Sequence, residues 1–357
     1  MKIAINFLKW LLIVIIAFGI ITVSSIFLIK VYNRHTNRIV SKDGIEYEGY
    51  VNINGFKQWI CVRGENKANP IILFIHGGPG SPESGMGCKK YQGIIEKSFV
   101  MVHWEQRGAG KSYDPQIEND PFETDTFVND AISLSEFLRK EYKKEKIFLI
   151  GHSWGSIIGI EAISKRPDLY YSYIGTGQFV NAIEQESLSR LFVMDYLKKH
   201  GKLQEYHQLE NIGDPPYKNI YEDLSLERKY LIQSGGWTGP NYSMSSLVVD
   251  VLFCPYYSFA DYYRAYKGAM YSLRKSLTKE YWNIALDKSR TTFQIPVFFI
   301  SGENDYNTPI PLVEKYYNTI VAPKKGFIKM NNCAHLVNFE NPTEFNNDVI
   351  RLFSSSM

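Results

Sequence analysis

The chain has 357 residues, 45% hydrophobic and 22% charged, which is ample material for a sizeable core and too apolar for a disordered chain. Its formal net charge is +3, but residues 1–43 hold six of the 40 basic residues (Lys2, Lys9, Lys30, Arg34, Arg38, Lys42) and only one acid, Asp43. The remainder is slightly acidic, which excludes a basic nucleic-acid surface and ties the positive excess to the flanks of an apolar N-terminal segment.

That segment, Trp10 to Ile29, carries no charge. About 20 apolar residues in a helix span the ~30 Å hydrocarbon core of a bilayer. A buried core helix would show a polar face, and this one offers only Thr22, Ser24 and Ser25. The rival is a cleavable signal peptide, but Ile-Phe-Leu-Ile follows directly on the small residues where cleavage would fall. The segment is therefore expected to be an uncleaved single-pass anchor in the cell membrane. Basic residues on both flanks mark the orientation poorly; a short N-terminal tail that stays inside puts the rest of the chain outside. Residues 1–30 are assigned to the anchor and 31–43, polar and basic, to a juxtamembrane linker.

Two β-rich runs follow, Glu46 to Ile53 and Phe56 to Arg63, separated by Asn54-Gly55, the strongest short hairpin signal. Near-continuous apolar runs at Ile71 to Ile75, Phe99 to Trp104 and Ile147 to Ile150 read as strands buried on both faces. Phe127, Ala131, Ile132, Leu134 and Leu138 lie between them at helical spacing. Strands alternating with helices predict an α/β class with a mostly parallel sheet covered on both sides. From about residue 179 to 289 the chain turns helical and rich in tyrosine, with no run that reads as a buried strand. Strands return at Val297 to Ile300 and Phe327 to Met330. Residues 44–178 and 290–357 are thus expected to form one core, interrupted by a helical cap at 179–289.

The most specific local feature is Gly151-His152-Ser153-Trp154-Gly155, a G-x-S-x-G between a buried strand and an apolar helical face at Ile157, Ile158, Ile160, Ala162 and Ile163. That context is what a nucleophile elbow requires, and it predicts the α/β-hydrolase fold with Ser153 as nucleophile. The sharp turn needs small residues at 151 and 155, exposes the hydroxyl and aims the N–H of Trp154 at a developing oxyanion. His76-Gly77-Gly78-Pro79-Gly80 follows the strand Ile71 to Ile75, the place from which this fold supplies the second oxyanion donor, assigned to the N–H of Gly78. Phosphate binding by this loop lacks the G-x-G-x-x-G or G-K-[ST] pattern it would need.

Of seven histidines, His35 is juxtamembrane, His200 and His207 lie in the cap, and His152 should point away from the serine hydroxyl. His76 and His103 belong to the oxyanion loop and a buried strand. His335, in the loop after the strand Phe327 to Met330, remains as the base. The acid should fall between serine and histidine in chain order; Asp305, in Ser301-Gly302-Glu303-Asn304-Asp305, satisfies this, with Glu303 as its rival.

Taken together, H-G-G-P-G at 76–80, W-E-Q-R-G-A-G-K-S at 104–112, G-H-S-W-G at 151–155, G-E-N-D at 302–305 and His335 resemble the proline iminopeptidase group of α/β-hydrolases over residues 45–178 and 290–355. Where that family usually has D-Q-R-G-x-G-x-S, Glu105 replaces the aspartate. The resemblance carries over Ser153, Asp305 and His335 as triad and Gly78 and Trp154 as oxyanion donors. It implies release of an N-terminal proline, with acidic cap residues holding the free amine. An E-N-H-Y-F-like cap segment is missing; Glu184, Glu186 and Asp261 are the candidate acids, each read first as an ordinary solvated charge.

The expected activity is acyl transfer by a serine hydrolase on short peptides, with small or lipid-like esters as the alternative substrate and a non-catalytic binding module as the alternative class. The four cysteines (Cys61, Cys88, Cys254, Cys333) lack C-x-x-C or metal-ligand spacing and are expected to be unpaired thiols. No metal or organic cofactor is expected, and no nucleic-acid partner. Oligomeric state is not legible.

Overall fold

A strand apolar at every position has to be covered on both faces, and the computed structural model shows how this chain does it. It describes residues 2–83, 89–119 and 122–356. After α1 (Lys2–Thr36) come β1 (Ile45–Ile53), β2 (Phe56–Gly64) and β3 (Ile71–Ile75). A short α2 (Lys89–Gln92) precedes β4 (Val100–Glu105), then α3 (Thr124–Glu141), β5 (Ile147–His152), α4 (Trp154–Lys165) and β6 (Tyr170–Thr176). Six helices follow in turn: α5 (Ala182–Lys199), α6 (Leu203–Asn211), α7 (Ile220–Gln233), α8 (Met244–Leu252), α9 (Phe259–Ser276) and α10 (Leu286–Ser289). The chain ends with β7 (Val297–Gly302), α11 (Ile310–Thr319), β8 (Lys325–Met330), α12 (Val337–Glu340) and α13 (Pro342–Ser354).

The eight described strands form one sheet in the order β1-β2-β4-β3-β5-β6-β7-β8. The hairpin β1–β2 and the β2–β4 pair are antiparallel, and every pairing from β4 through β8 is parallel. Successive strand residues face opposite sides. Ile71, Leu73 and Ile75 of β3 accordingly join a core with Phe127 and Leu134 of α3 and Ile158 of α4. Ile72 and Phe74 join a separate core with Val349 and Phe353 of α13. The mostly parallel α/β-hydrolase architecture is the one expected, with helices α5–α10 inserted between β6 and β7.

Two elements differ from the sequence reading. β6 has no counterpart among the apolar runs, because its Tyr-Tyr-Ser-Tyr-Ile-Gly-Thr is polar by composition. Two of its tyrosine hydroxyls are absorbed locally: Tyr170 meets Ser135 at 3.0 Å, and Tyr173 donates to Gln178 at 3.0 Å. The first helix also continues through Thr36, so the start of the expected linker is helical.

The helix α1 is apolar all round, and residues such as Phe7, Trp10 and Phe18 are exposed. It is long and apolar enough to cross a membrane. Its last turns do meet the rest of the chain. Lys30 Nζ donates to the Tyr257 carbonyl and to Tyr262 Oη, and Asn33 Nδ2 donates to the Phe253 carbonyl at 2.9 Å. Cys61, Cys254 and Cys333 are buried and unpaired, and Cys88 lies outside the described residues.

Candidate active site

Parallel strands leave their carboxyl ends on one edge of the sheet, and loops from β3, β5, β7 and β8 meet there. Ser153 occupies the turn between β5 and α4 with φ 52° and ψ −122°. A non-glycine residue in that region is strained and is held by its surroundings. Here the Ser153 N–H donates to the Thr176 carbonyl at 3.0 Å, and Ser156 Oγ donates to the Ser153 carbonyl at 2.6 Å. The elbow is tight enough that a Cβ on Gly155 would stand 2.6 Å from the His76 carbonyl oxygen. A Cβ on Gly77 would stand 2.9 Å from Ser153 Cβ, so the loop after β3 lies directly against the serine. The N–H of Trp154, first residue of α4, precedes the helix's own hydrogen-bond ladder and is free to donate. Gly78 and Trp154 both line the cavity over Ser153.

His335 and Asp305 are brought together. His335 Nδ1 lies 2.9 Å from Asp305 Oδ2, and both side chains are buried. Asp305 also accepts from the N–H groups of Asn307 (2.9 Å) and Thr308 (2.8 Å) and from Thr308 Oγ1 (2.7 Å). Four donors fix the carboxylate, which in turn holds the imidazole with its proton on Nδ1 and Nε2 as a free base. Burial lowers the pKa of His335, against the opposing pull of Asp305. The rival acid Glu303 is exposed and binds the sheet through its backbone, its N–H donating to the Met330 carbonyl.

No hydrogen bond joins His335 to Ser153 among the described residues. His335 Nε2 instead faces Asn307 Nδ2 at 3.0 Å, while Asn307 Oδ1 is buried without a partner. On the other side, His152 Nε2 meets the His335 carbonyl at 3.1 Å, and the two rings lie 4.9 Å apart. His152 Nδ1 is paired with Glu83, whose other oxygen accepts from Asn338 Nδ2 at 2.9 Å. Burial works against charge on both partners, but their mutual attraction outweighs it: the Glu83 carboxyl is held down at about 2, and the His152 pKa is raised. His76 and His103, buried without such a counterion, are pushed down to about 4. His76 accepts from the Gln106 N–H at 3.1 Å, which makes it a strut under the oxyanion loop.

Above the serine is a cavity of about 490 Å³ between the core and cap helices α5, α7, α8 and α9. Its cap wall is largely apolar, with Leu224, Trp237, Met244, Leu247 and Leu273, and among the described residues it carries one cation, Arg228. Arg228 Nη2 forks onto Glu186 at 2.7 and 2.6 Å, and Nη1 reaches Glu227 at 3.2 Å. Tyr281 and Tyr217 donate to Glu186 and Glu227 respectively. Burial, with Glu186 nearby and Arg228 opposing, pushes the Glu227 carboxyl up to about 7. Of the candidate amine-binding acids, Glu186 is thus buried behind Arg228. Glu184 pairs with Lys315 at 2.8 Å, away from the cavity, and Asp261 closes the capping box of α9.

Comparison with known proteins places the chain. A family model described as serine aminopeptidase, S33, matches residues 66–219. A protein named probable aminopeptidase YbaC, from Bacillus subtilis strain 168, is 31% identical over 313 residues, covering 88% of this chain and 98% of that one. The chain belongs to this family of proline iminopeptidase-like α/β-hydrolases. A proline iminopeptidase of Clostridioides difficile strain 630 is 32% identical over 188 residues, covering 51% of this chain and 59% of that one. The crystal structure of a proline iminopeptidase-related protein from Thermus thermophilus superposes with a TM-score of 0.62 at 18% identity, covering 88% of this chain and all of that one. At that identity the likeness is one of fold.

Within the family pattern, the substitution of Glu105 for aspartate has a structural reason. Glu105 is fully buried and accepts from Tyr257 Oη at 2.6 Å, so the longer acid reaches a cap residue and ties cap to core. The neighbouring Arg107 makes a two-pronged pair with Asp130 at 2.9 and 3.0 Å. Sequence reasoning missed Glu83, Asn307, Glu227 and Arg228. The first two carry no motif of their own. The last pair reads in sequence as the charged face of an ordinary helix.

Proposed function

We propose that the chain is a membrane-anchored serine hydrolase that works by acyl transfer and acts as an aminopeptidase on short peptides. In this reading Ser153 attacks the carbonyl carbon while His335 Nε2 takes the hydroxyl proton. Asp305 stabilises the imidazolium, and the N–H groups of Gly78 and Trp154 hold the oxyanion. His335 then gives the proton to the departing amine, and water releases the acyl group by the same steps. Asn307 yields Nε2 to the serine when substrate fills the cavity. The core at 44–178 and 290–357 carries this chemistry, the cap at 179–289 selects the substrate, and residues 1–30 hold both at the outer face of the cell membrane.

The observation that carries the reading is the buried His335–Asp305 contact at 2.9 Å beside a serine in strained elbow geometry. Membership of the family favours peptides, and Glu186 and Glu227 put negative charge close behind the cavity wall. A second reading, hydrolysis of small or lipid-like esters, is favoured by the cap wall: it is largely apolar, and the acids behind it, Glu186 and Glu227, are already paired with Arg228 and not offered to a free amine. Kinetics on a prolyl-naphthylamide and a series of p-nitrophenyl esters separates the two. Turnover of the amide supports the aminopeptidase; turnover of esters alone overturns it in favour of the second reading.

A further inference from the structure

The cap helix α8 is apolar on two sides. Met244, Leu247 and Val251 line the cavity, yet Val248 and Val249 point outward and are at least half exposed. Phe259, Tyr263 and Tyr266, at the start of α9, are at least half exposed as well. Isolated apolar side chains on a surface are ordinary, but exposed apolar residues gathered on two helices that meet end to end point to a contact surface.

The position of the patch identifies its partner. Tyr262 Oη donates to the carbonyls of Val251 (2.8 Å) and Leu252 (2.9 Å), which joins the start of α9 to the end of α8. Lys30 donates to the same Tyr262 and to the Tyr257 carbonyl, and its ammonium lies over the Tyr262 and Phe259 rings. Lys30 is the residue immediately after the uncharged segment Trp10 to Ile29. Wherever α1 leaves a bilayer, the α8–α9 junction is therefore at that level. Val248 and Val249 are within one turn of Leu252, about 6 Å along the helix. Aromatic residues favour the headgroup layer, and cations beside them favour anionic lipid. The exposed face of α9 supplies both: Tyr263 and Tyr266 alternate with Arg264, Lys267, Arg274 and Lys275, opposed only by Asp261, which lies 3.7 Å from Arg264.

We infer that the outer faces of α8 and α9 dock on the surface of an anionic lipid bilayer, so that one wall of the cavity rests on the membrane. This rests on the reading of α1 as a membrane anchor and adds that the cap itself meets lipid. A substrate partitioned into the bilayer then reaches the cavity past a single helix.

The full chain, in a Cys88→Ser background, takes an environment-sensitive fluorophore at one introduced cysteine and is reconstituted in vesicles of phosphatidylethanolamine and phosphatidylglycerol. The labelled variants are Ile16→Cys in α1, Val249→Cys in α8, Tyr266→Cys in α9, and Leu191→Cys on an exposed site of α5. Lipids with a nitroxide near the headgroup end of the acyl chain quench a fluorophore within contact range. At positions 249 and 266 the label should lose roughly half its emission or more, as expected for side chains seated at the acyl–headgroup boundary, and at 191 almost none. Insertion of α1 is read separately with a nitroxide deep in the chain, which should quench position 16. Quenching at 16 with 249 and 266 no more quenched than 191 overturns the docking and leaves the anchor standing. No quenching at 16, 249 or 266 overturns both. Equal quenching at 266 when phosphatidylglycerol is replaced by phosphatidylcholine overturns the anionic preference.

Discussion

The two walls of the cavity are built on opposite principles. On the core side, each reactive side chain sits within a few residues of a strand end and is held by backbone. Asp305 accepts two N–H groups, Ser153 is pinned through Thr176 and Ser156, and the His335 N–H donates to the Trp237 carbonyl at 3.1 Å. On the cap side, the polar groups are held by one another. Arg228, Glu186, Glu227, Tyr217 and Tyr281 bond mainly to one another, with Gln185 Nε2 also donating to Glu186 at 3.3 Å. A wall fixed by backbone keeps its geometry when surface residues change, whereas a wall of mutually neutralised side chains changes character with one substitution. In the proposed mechanism the core side would set the reaction and the cap side what is admitted.

Substitutions on each wall should then fail differently. Ser153→Ala should lower kcat by roughly 10⁶-fold, as loss of a triad nucleophile does, with an unchanged circular dichroism spectrum. Asp305→Asn should cost about 10⁴-fold in kcat, because the imidazole is then held in the wrong tautomer, again with little change in fold. A change in the cap should appear first in stability. Arg228→Gln leaves Glu186 and Glu227 buried without their counterion, and the loss should be on the order of 3–5 kcal/mol in denaturant unfolding. Because the cavity wall becomes anionic, the surviving enzyme should also shift its kcat/KM ratio towards amine-bearing substrates. If Arg228→Gln instead lowers kcat equally for all substrates and leaves stability alone, the contrast between the walls breaks.

The smallest effect concerns pH. His335 must be neutral to accept a proton, and its pKa is lowered by burial, so the acidic limb of kcat/KM should have its midpoint below the ordinary histidine value of about 6.5. The positive charge on His152 contributes to that lowering. Glu83→Gln removes the counterion that keeps His152 charged, so the His335 pKa should rise and the limb should move to higher pH, by on the order of half a unit. A limb that stays in place, or moves to lower pH, removes Glu83 and His152 from the account of the base.

The legibility of the chain follows the same division. Ser153, His335 and Asp305, the proposed triad, stand out in sequence because each lies in a local pattern: an elbow between strand and helix, a loop after a buried strand, an acid between them in chain order; the structure adds the elbow strain and the His335–Asp305 contact. β3, β4, β5 and β7 were readable because burial on both faces demands unbroken apolar runs. β6 was not, since its tyrosines are buried there with hydroxyl partners that only the tertiary structure supplies. The cap was legible as helical, but the cluster of buried and part-buried charges that lines it was not. Nothing in Leu226-Glu227-Arg228-Lys229 separates the buried Glu227 and partly buried Arg228 from neighbours that face water. Asn307 and Glu83 were missed for the same reason: their roles depend on what the fold puts opposite them.

The central claim is that Ser153 is a nucleophile activated by His335. Intact-mass analysis after incubation with a fluorophosphonate tests it most directly, since this reagent phosphonylates activated serines. Wild-type protein should gain one adduct, located at Ser153 by peptide mapping, and Ser153→Ala should gain none. An unmodified wild type, or equal modification of the Ser153→Ala variant, would contradict it.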